Sequence, residues 1–367
     1  MRTRHVDRTF LITALFLTLF GFVIFLSASL GLLTRSGARF EPTALKQLVF
    51  GIVLGLAACA FFARFDYKNL KAYSLYFFIG SLILTLMVRI PGIGFEHGGA
   101  WRWISVGAFT FQPSELLRLA FVIYFAAWLS KVKDRIKDIR FGLLPFIVIS
   151  GLAGAAILIQ PDTDTFVTLM CAGLAMFIVA GARVRDFLII IVIGALIGGL
   201  IFATRPYIRE RVDVFLHPEE SNTLDSGYQI TQSLIAIGSG GILGRGFGQS
   251  IQKFNYLPEP IGDSIFAVAA EEFGFLGATF LILLFMAFAM RGLRVATRAP
   301  DSFGGLVALG IVILILSQSF INIASMLGIF PLSGTPLVFV SQGGSALLIA
   351  LIEVGILLNI SRYQKSP

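Results

Sequence analysis

Residues 264–290 read SIFAVAAEEFGFLGATFLILLFMAFAM. This run is apolar and exceeds the roughly 18 residues that indicate a membrane-spanning helix. It nevertheless contains two adjacent carboxylates, Glu271 and Glu272, and it follows a third, Asp263. The run therefore predicts a membrane helix with acidic residues near one end, and these acids require an explanation.

The composition of the whole chain is also that of a membrane protein. Of its 367 residues, 56% are hydrophobic and 14% are charged, and the mean hydropathy is +0.86. We therefore expect an all-α integral membrane protein in which residues 1–367 form a single polytopic membrane domain. The net charge of +8 is attributed to membrane topology and not to nucleic-acid binding, because basic residues in such proteins usually mark cytoplasmic loops.

Hydropathy predicts a bundle of ten transmembrane helices. Arg2, Arg4 and Arg8 precede the first of them, which is too long for the apolar core of a signal peptide and is expected to remain uncleaved. The predicted spans lie near residues 10–30, 45–64, 72–90, 113–130, 141–159, 164–182, 186–204, 264–290, 303–327 and 342–360.

The distribution of basic residues predicts the orientation of this bundle. If the N-terminus is cytoplasmic, more than half of the 29 lysines and arginines fall in short inner segments, as the positive-inside rule requires. The densest is KVKDRIKDIR, residues 131–140, which suits a loop facing anionic lipid headgroups. We therefore expect both termini in the cytoplasm and function on the opposite face. The predicted outer segments are 91–112, 160–165, 205–263 and 328–341.

The outer segment 205–263, between helices 7 and 8, is too long to be a simple connection. We expect a large, partly helical extracellular loop. Within it, GYQITQSLIAIG (227–238) spaces Ile230, Leu234 and Ile237 by three and four residues, which predicts a short helix lying in the membrane interface.

The glycine-rich stretch GSGGILGRGFGQSIQK, residues 238–253, could present backbone N–H groups to a phosphate. It lacks the spacing of a nucleotide P-loop, so no nucleotide is expected. Arg245 and Lys253 would suit an anionic diphosphate, although contact with lipid phosphates explains their charge equally well.

Two interpretations of Asp263 remain open. Pro258, Pro260 and Gly262 interrupt helical structure, so Asp263 should lie at the first turn of the eighth span. Its carboxylate could cap that helix. At the outer membrane boundary it could also act as a general base on a substrate hydroxyl. The two roles are compatible.

The acids deeper in the same span are costly unless they are paired or protonated. Glu271 and Glu272 lie roughly 12–13 Å beyond Asp263, at about 1.5 Å per residue. A structural cation such as Arg118 or Arg102 could neutralise them. The alternative is a proton relay or a cation site.

Two further pairs of charged residues lie at predicted helix starts. In QPSELLRL, Glu115 and Arg118 are three residues apart and can meet on one helical face, as an internal ion pair or in contact with substrate. Asp162 and Asp164 flank Thr163, where they could cap the sixth span or bind a divalent cation. The three histidines and two cysteines show no ligand spacing, so neither a zinc site nor a disulfide is expected.

Several of these motifs together resemble the SEDS family of shape, elongation, division and sporulation proteins. The motifs are GAWRWI, FQPSE, QPD, the run from GYQITQ to EEFGFLG, and PLVFVSQGGS, so the resemblance extends from the first span to the tenth. The stretch QSIQKFNYLPEP is similar to the division member FtsW more than to the elongation member RodA. The chain departs from the family pattern in QPDTDT, where the family often has QPDLGT, and at Ser264 and Gln342.

The resemblance implies a peptidoglycan glycosyltransferase that polymerises lipid II into glycan strands on the outer face of the bacterial cytoplasmic membrane. It also implies a class B penicillin-binding protein and other division proteins as partners, besides membrane lipids. The family's essential aspartate maps onto Asp263, its QPSE glutamate onto Glu115 and the following basic residue onto Arg118. Trp101 and Arg102 match the loop motif after the third span.

The expected mechanism is an inverting glycosyl transfer with Asp263 as the base. Cations, or a divalent Mg or Mn ion held by Asp263 or neighbouring acids, would stabilise the lipid diphosphate leaving group. The residues expected to contact substrate are Trp101, Arg102, Glu115, Arg118, Arg245, Lys253 and Glu259.

Three other functions remain open. Intramembrane acids in a ten-span bundle also suit a flippase that moves lipid II across the bilayer. A scaffold that only recruits other wall enzymes would tolerate changes at Asp263. An elongation polymerase of the RodA type would carry out the same chemistry at a different place in the cell.

Overall fold

The computed structural model describes residues 6–34, 40–97, 100–107, 109–217 and 225–364. Arg2 and Arg4, which preceded the first predicted span, lie outside these residues. The described chain is mostly helical. The first helices are α1 (Arg8–Ser29), α2 (Phe40–Lys46), α3 (Leu54–Phe62), α4 (Tyr67–Met87), α5 (Pro113–Lys131), α6 (Leu143–Leu158) and α7 (Thr163–Val179). The others are α8 (Val184–Thr204), α9 (Pro206–Leu216), α10 (Asp225–Ser239), α11 (Ile265–Thr297), α12 (Ser302–Met326) and α13 (Gly344–Ser361).

A helix coincides with each of the ten predicted spans, because the apolar runs that predicted them also favour helices in a membrane. A π-helical turn, Gln47–Val53, joins α2 to α3, so the second span is one continuous helix. Helices α6 and α7 are apolar but only 16 and 17 residues long. Within the described residues, seven helices are long and apolar enough to cross a membrane: Arg8–Thr34, Phe40–Phe62, Tyr67–Met87, Val184–Thr204, Ile265–Thr297, Ser302–Met326 and Gly344–Ser361.

Aspartates begin four of these helices. The side chain of each accepts a hydrogen bond from a backbone N–H of the first turn, which otherwise has no partner within the helix. The capping residues are Asp7 for α1, Asp66 for α4, Asp162 for α7 and Asp301 for α12. The predicted cap at Asp162 is therefore confirmed.

The segment before α5 is a small sheet, so the expectation of an all-α fold is wrong there. Three antiparallel strands lie in the order β1 (Gly94–His97), β2 (Ala100–Val106) and β3 (Phe109–Phe111). Ile104 pairs with Gly94 on one side and with Phe111 on the other. Strand β2 contains aromatic and β-branched residues that favour extended chain, and it lies outside the apolar spans that favour helices.

Helices α12 and α13 form the buried centre of the bundle. Helix α12 packs against α5, α7 and α11, and α13 packs against the second span. Helix α8, by contrast, packs chiefly against α9 and leaves most of its apolar surface exposed. The site described below is therefore supported by α12, which is held on several sides.

Helix α11 is interrupted at Gly274, which has a left-handed φ of 66°. The N–H groups after the break bond to the glycine-rich segment: Phe275 N donates to Gly241 O at 2.8 Å and Leu276 N to Ile242 O at 3.2 Å. Backbone groups at membrane depth need such partners because lipid provides none. The glycine-rich segment thus packs against the break.

Candidate active site

Asp263 lies just before α11, at the end of a tight turn. The N–H groups of Gly262 and Ser264 both donate to Glu259 O, at 3.0 and 3.1 Å. Ser264 is the residue at the helix cap, and its side chain makes no capping bond. Within the described residues the carboxylate of Asp263 accepts no hydrogen bond, so the capping interpretation of Asp263 is wrong. Asp263 as a whole is half-buried, and its unbonded carboxylate remains available for chemistry.

Three charged side chains converge on Gly334, between α12 and α13. A Cβ atom added to Gly334 would lie 3.4 Å from Arg211 Nη2, 3.7 Å from Asp263 Oδ2 and 3.8 Å from Asp164 Oδ2. Arg211 Nη1 also lies 3.1 Å from Asp164 Oδ2, and Gly334 N donates to the same oxygen at 2.9 Å. We call Asp164, Arg211, Asp263 and Gly334 the Asp263 cluster.

The electrostatic surroundings of Asp263 favour its protonated form. Its pKa is raised from 3.8 to about 7. Burial is the largest cause, because it disfavours the charged form, and the negative charges of Glu259 and Asp164 add to it. The positive charges of Arg211 and Arg102 oppose this rise. A carboxyl group with a pKa near neutrality can exchange a proton under physiological conditions.

All four segments predicted to face the outside contribute to this region. Asp164 belongs to 160–165, Arg211 and Asp263 to 205–263, and Gly334 to 328–341. Segment 91–112 is joined through Arg102, which donates to Gln160 O at 3.1 Å and to Pro161 O. The structure therefore brings the four segments together at one end of the bundle.

Two other predicted substrate residues lie near this end without joining the cluster. Trp101 is half-buried on β2, where it pairs with Glu96 of β1. Glu259 is exposed and acts on Asp263 through its charge. Their contact with substrate stays a prediction.

Glu115 and Arg118 form an internal ion pair, one of the two roles expected for them. Both side chains are 7% exposed. Arg118 Nη1 also donates to Gln318 Oε1 at 2.7 Å and to Thr168 Oγ1 at 3.3 Å. A second acid, Glu353 of α13, lines the same small cavity of about 20 Å³. The pair is thus part of a buried polar centre between α5, α12 and α13.

Glu271 and Glu272 are paired with cations other than those expected. Lys253 Nζ donates to Glu272 Oε1 at 2.7 Å, and both side chains are fully buried. Arg245 Nε lies 3.3 Å from Glu271 Oε1. Arg118 and Arg102 are bonded elsewhere, so the prediction that one of them neutralises these acids is wrong. Since Arg245 and Lys253 compensate charges inside the bundle, the structure does not bring them to Asp263.

The glycine-rich segment 238–253 does not offer its N–H groups to a phosphate in the way the sequence suggested. Arg245 N donates to Glu271 O at 3.0 Å and Gly246 N to Glu272 O at 2.9 Å. These donors are used against α11, where the helix approaches its break at Gly274. The segment therefore has a structural role at these positions.

The described side chains do not fit the expected metal ion. No group of three or more His, Cys, Asp or Glu residues within the described part of the chain is placed to hold one. Asp164 Oδ2 already binds Arg211 and Gly334 N, and the guanidinium would repel a divalent cation. We therefore assign no step of the reaction to a metal.

Sequence reasoning did not identify Arg211, Gly334, Gln318 or Asn322. Nothing in the sequence distinguishes Arg211 from other arginines near α9, because its importance comes from a contact with Asp164, 47 residues away. The two amides did leave a signal: they lie four residues apart in an apolar span, and polar residues with this spacing share a helical face.

The buried ion pair between Lys253 and Glu272 should be strongly coupled. Lys253→Met leaves Glu272 without its cation and should cost about 3–5 kcal/mol of stability. Adding Glu272→Gln removes the uncompensated charge, so the double variant should unfold at a higher temperature than Lys253→Met alone. Thermal unfolding of the purified protein in detergent measures this, with Arg245→Met as the control for a more exposed pair. If the losses of stability caused by Lys253→Met and Glu272→Gln simply added in the double variant, the pairing of these two residues would be contradicted.

The raised pKa of Asp263 predicts a pH-dependent stability. Its contribution is fully present below the unfolded value of 3.8 and is lost as the pH rises through about 7, because the folded state binds the proton more tightly. Asp263→Asn cannot ionise. Its unfolding temperature relative to that of the wild type should therefore increase between about pH 5 and about pH 8. Asp213→Asn, at an exposed aspartate of α9, provides the control. Unfolding temperatures of Asp263→Asn and wild type that change in parallel with pH would refute the raised pKa of Asp263.

Comparison with known proteins agrees with the resemblance seen in the motifs. The family model described as "Cell cycle protein", which covers FtsW, RodA and SpoVE, matches residues 7–366. Stage V sporulation protein E of Bacillus subtilis is 41% identical over 97% of this chain and 96% of its own length. A probable peptidoglycan glycosyltransferase FtsW of Geobacter sulfurreducens is 38% identical over 98% of this chain and 96% of its own length.

Solved structures show the same fold. A chain of a peptidoglycan synthase complex, studied for the coordination of polymerization and crosslinking, superposes with a TM-score of 0.81 at 24% identity, over 98% of this chain and 99% of that one. The rod shape determining protein RodA of Thermus thermophilus superposes with a TM-score of 0.69 at 21% identity, over 99% of this chain and 98% of RodA. With the family model matching nearly its whole length, this chain belongs to the FtsW, RodA and SpoVE family of cell cycle proteins, the SEDS family.

Proposed function

We propose that this protein is a peptidoglycan glycosyltransferase that polymerises lipid II into glycan strands and acts in cell division. Membership in the family supports the chemistry, and the relatives named FtsW support the division role. The single observation that favours a catalytic site at Asp263 is its free carboxylate, which has a pKa of about 7 and lies beside Arg211.

The proposed topology is that of a multi-pass protein of the bacterial cytoplasmic membrane with both termini in the cytoplasm. All ten predicted spans cross the bilayer in this proposal, residues 1–367 form one domain, and 205–263 is its large outer loop. Two observations support this topology. Each predicted span coincides with a helix. The four predicted outer segments meet at one end of the bundle, and the predicted topology places the basic loop 131–140 at the other end.

In the proposed reaction, Asp263 removes the proton from the acceptor sugar's hydroxyl. The hydroxyl oxygen then forms a bond to the anomeric carbon of the donor sugar, while the bond between that carbon and the lipid diphosphate breaks. The bonding pair leaves with the diphosphate, and the configuration at the carbon inverts. A base with a pKa near 7 is ionised in part at neutral pH and still binds a proton well enough to remove it.

The cations nearest to this chemistry are Arg211 and Arg102, because both act electrostatically on Asp263. A preorganised guanidinium stabilises negative charge that develops on a leaving diphosphate. Asp164 holds Arg211 in place through its ion pair. We therefore propose Arg211 as the main diphosphate contact, in place of Arg245 and Lys253.

A class B penicillin-binding protein is the proposed partner, since the solved complex that shares the fold is described as a synthase that combines polymerization with crosslinking. Lipid II flipping remains the second candidate function. It is favoured by the buried centre of Glu115, Arg118 and Glu353, because ionisable groups inside a membrane bundle are typical of transport pathways.

The decisive test is polymerisation of labelled lipid II by the purified protein together with its penicillin-binding partner. The wild type should produce glycan strands visible on a gel, and Asp263→Asn should lower the rate at least about 100-fold because it lacks the base. Asp213→Asn, which removes a carboxylate on the exposed side of α9, should retain activity.

Equal polymer from Asp263→Asn and wild type would refute the role of this carboxylate. Absence of polymer from the wild type, together with movement of dye-labelled lipid II across vesicles, would replace the transferase with the flippase. A scaffold would give neither signal.

A further inference from the structure

One face of α12 presents two buried amides to the segment that contains Gly334. Gln318 and Asn322 lie one helical turn apart, and both are essentially inaccessible. Gln318 Nε2 donates to Pro336 O at 2.9 Å, and Asn322 Nδ2 donates to Thr335 O at 2.8 Å. The two side chains therefore hold consecutive carbonyl groups of the segment between α12 and α13.

Asn322 also holds the backbone of the proposed base. The same Nδ2 group donates to Asp263 O at 2.7 Å. Thr335 follows Gly334 directly, and it is at Gly334 that Arg211 and Asp263 converge. A single amide thus fixes the main chain of Asp263 relative to the segment on which its carboxylate and Arg211 converge.

Gln318 extends this connection in the other direction. Its Oε1 accepts a hydrogen bond from Arg118 Nη1 at 2.7 Å, while Arg118 is paired with Glu115. The connection therefore runs from the buried ion pair to Gln318, along the backbone of Pro336 and Thr335 to Asn322, and from Asn322 to Asp263. Within the described residues, no side chain of Glu115 or Arg118 contacts the Asp263 cluster directly.

We propose that Asn322 is a positioning residue for the reaction, and that Gln318 links it to the Glu115–Arg118 pair. Asn322 contacts no substrate. It sets the place of Asp263 and, through the segment of Gly334, its distances to Asp164 and Arg211. Together with burial, Glu259 and Arg102, these two charges set the proton affinity of Asp263. This inference rests on the proposed function, in which Asp263 is the base.

The first experiment compares Asn322→Leu with Asn359→Leu. Asn359 of α13 is a matched control, because it too is a buried amide with a pair of backbone partners: it donates to Ala63 O at 3.0 Å and accepts from Tyr67 N at 3.1 Å. Asn359 has no bond to the Asp263 cluster. Both variants should lower the unfolding temperature to a similar extent.

Only Asn322→Leu should change the reaction itself. Its kcat per folded molecule should fall about 100-fold, because displacement of a catalytic group by about 1 Å has an effect of that size, while KM should remain close to that of the wild type. The midpoint of its pH–rate profile should move away from that of the wild type. Equal kcat and equal midpoints for Asn322→Leu and Asn359→Leu would reduce Asn322 to a structural residue and overturn the proposal.

A pair of Gln318 variants tests the link. Gln318→Glu retains an acceptor for Arg118 but loses the donor to Pro336 O, whereas Gln318→Leu loses both. We expect both variants to lower kcat about tenfold or more, since a displacement of the segment at Pro336 would move Asp263 and misplacement of a catalytic group by about 1 Å can cost about 100-fold. A kcat equal to that of the wild type for Gln318→Glu would show that the hydrogen bond to Pro336 O does not affect the position of Asp263, and would contradict the proposed link.

A readout without polymerisation separates this inference from the proposed function. Water-soluble carbodiimide modifies protonated carboxyl groups, and mass spectrometry of the peptide containing Asp263 gives the pH at which its reactivity is lost. A shifted midpoint in Asn322→Leu but not in Asn359→Leu supports the positioning role even if the wild type makes no polymer. Identical midpoints overturn it. If Asn322→Leu does not fold, Asn322→Ala takes its place in both measurements.

Discussion

Charge inside a membrane bundle must be neutralised, and the arrangement of the acids in this protein follows from that constraint. Glu272 is paired with Lys253 and Glu271 with Arg245, so the interrupted helix α11 can pass through the bundle with two adjacent carboxylates. Asp263 is in a different situation. It lies at the end of the helix, its carboxylate accepts no hydrogen bond within the described residues, and its neighbours include two acids. The groups that stabilise the bundle and the group proposed for chemistry are therefore distinguished by how completely their charges are paired.

The positions of the helices were predictable because each depends on a local property, an apolar run of sufficient length. Asp263 was also predictable, since helix-breaking residues precede it and the family motif marks it. The cations that neutralise Glu271 and Glu272 were not, because Lys253 pairs with Glu272 only after the glycine-rich segment folds against the break at Gly274. Contacts of this kind depend on tertiary packing and leave no periodic pattern in the sequence.

The sheet before α5 and the contact between Arg211 and Asp164 were missed for related reasons. A short strand after a long apolar helix gives a weak signal in a chain dominated by spans. QPDTDT departs from the family pattern, and the departure itself, Asp164, is the residue that binds Arg211 and Gly334 N. The outer segments together surround the carboxylate of Asp263. The buried helix α12 holds the backbone of Asp263 through Asn322.

The side of the membrane on which Glu259 lies tests the central claim most directly. In a background without the native cysteines, Glu259→Cys should react with a membrane-impermeant maleimide in cells whose outer barrier is permeable to the reagent but whose cytoplasmic membrane is intact. Lys133→Cys, in the basic loop, should react only after that membrane is opened. The reverse pattern would place Asp263 on the cytoplasmic side and would contradict polymerisation at the outer face.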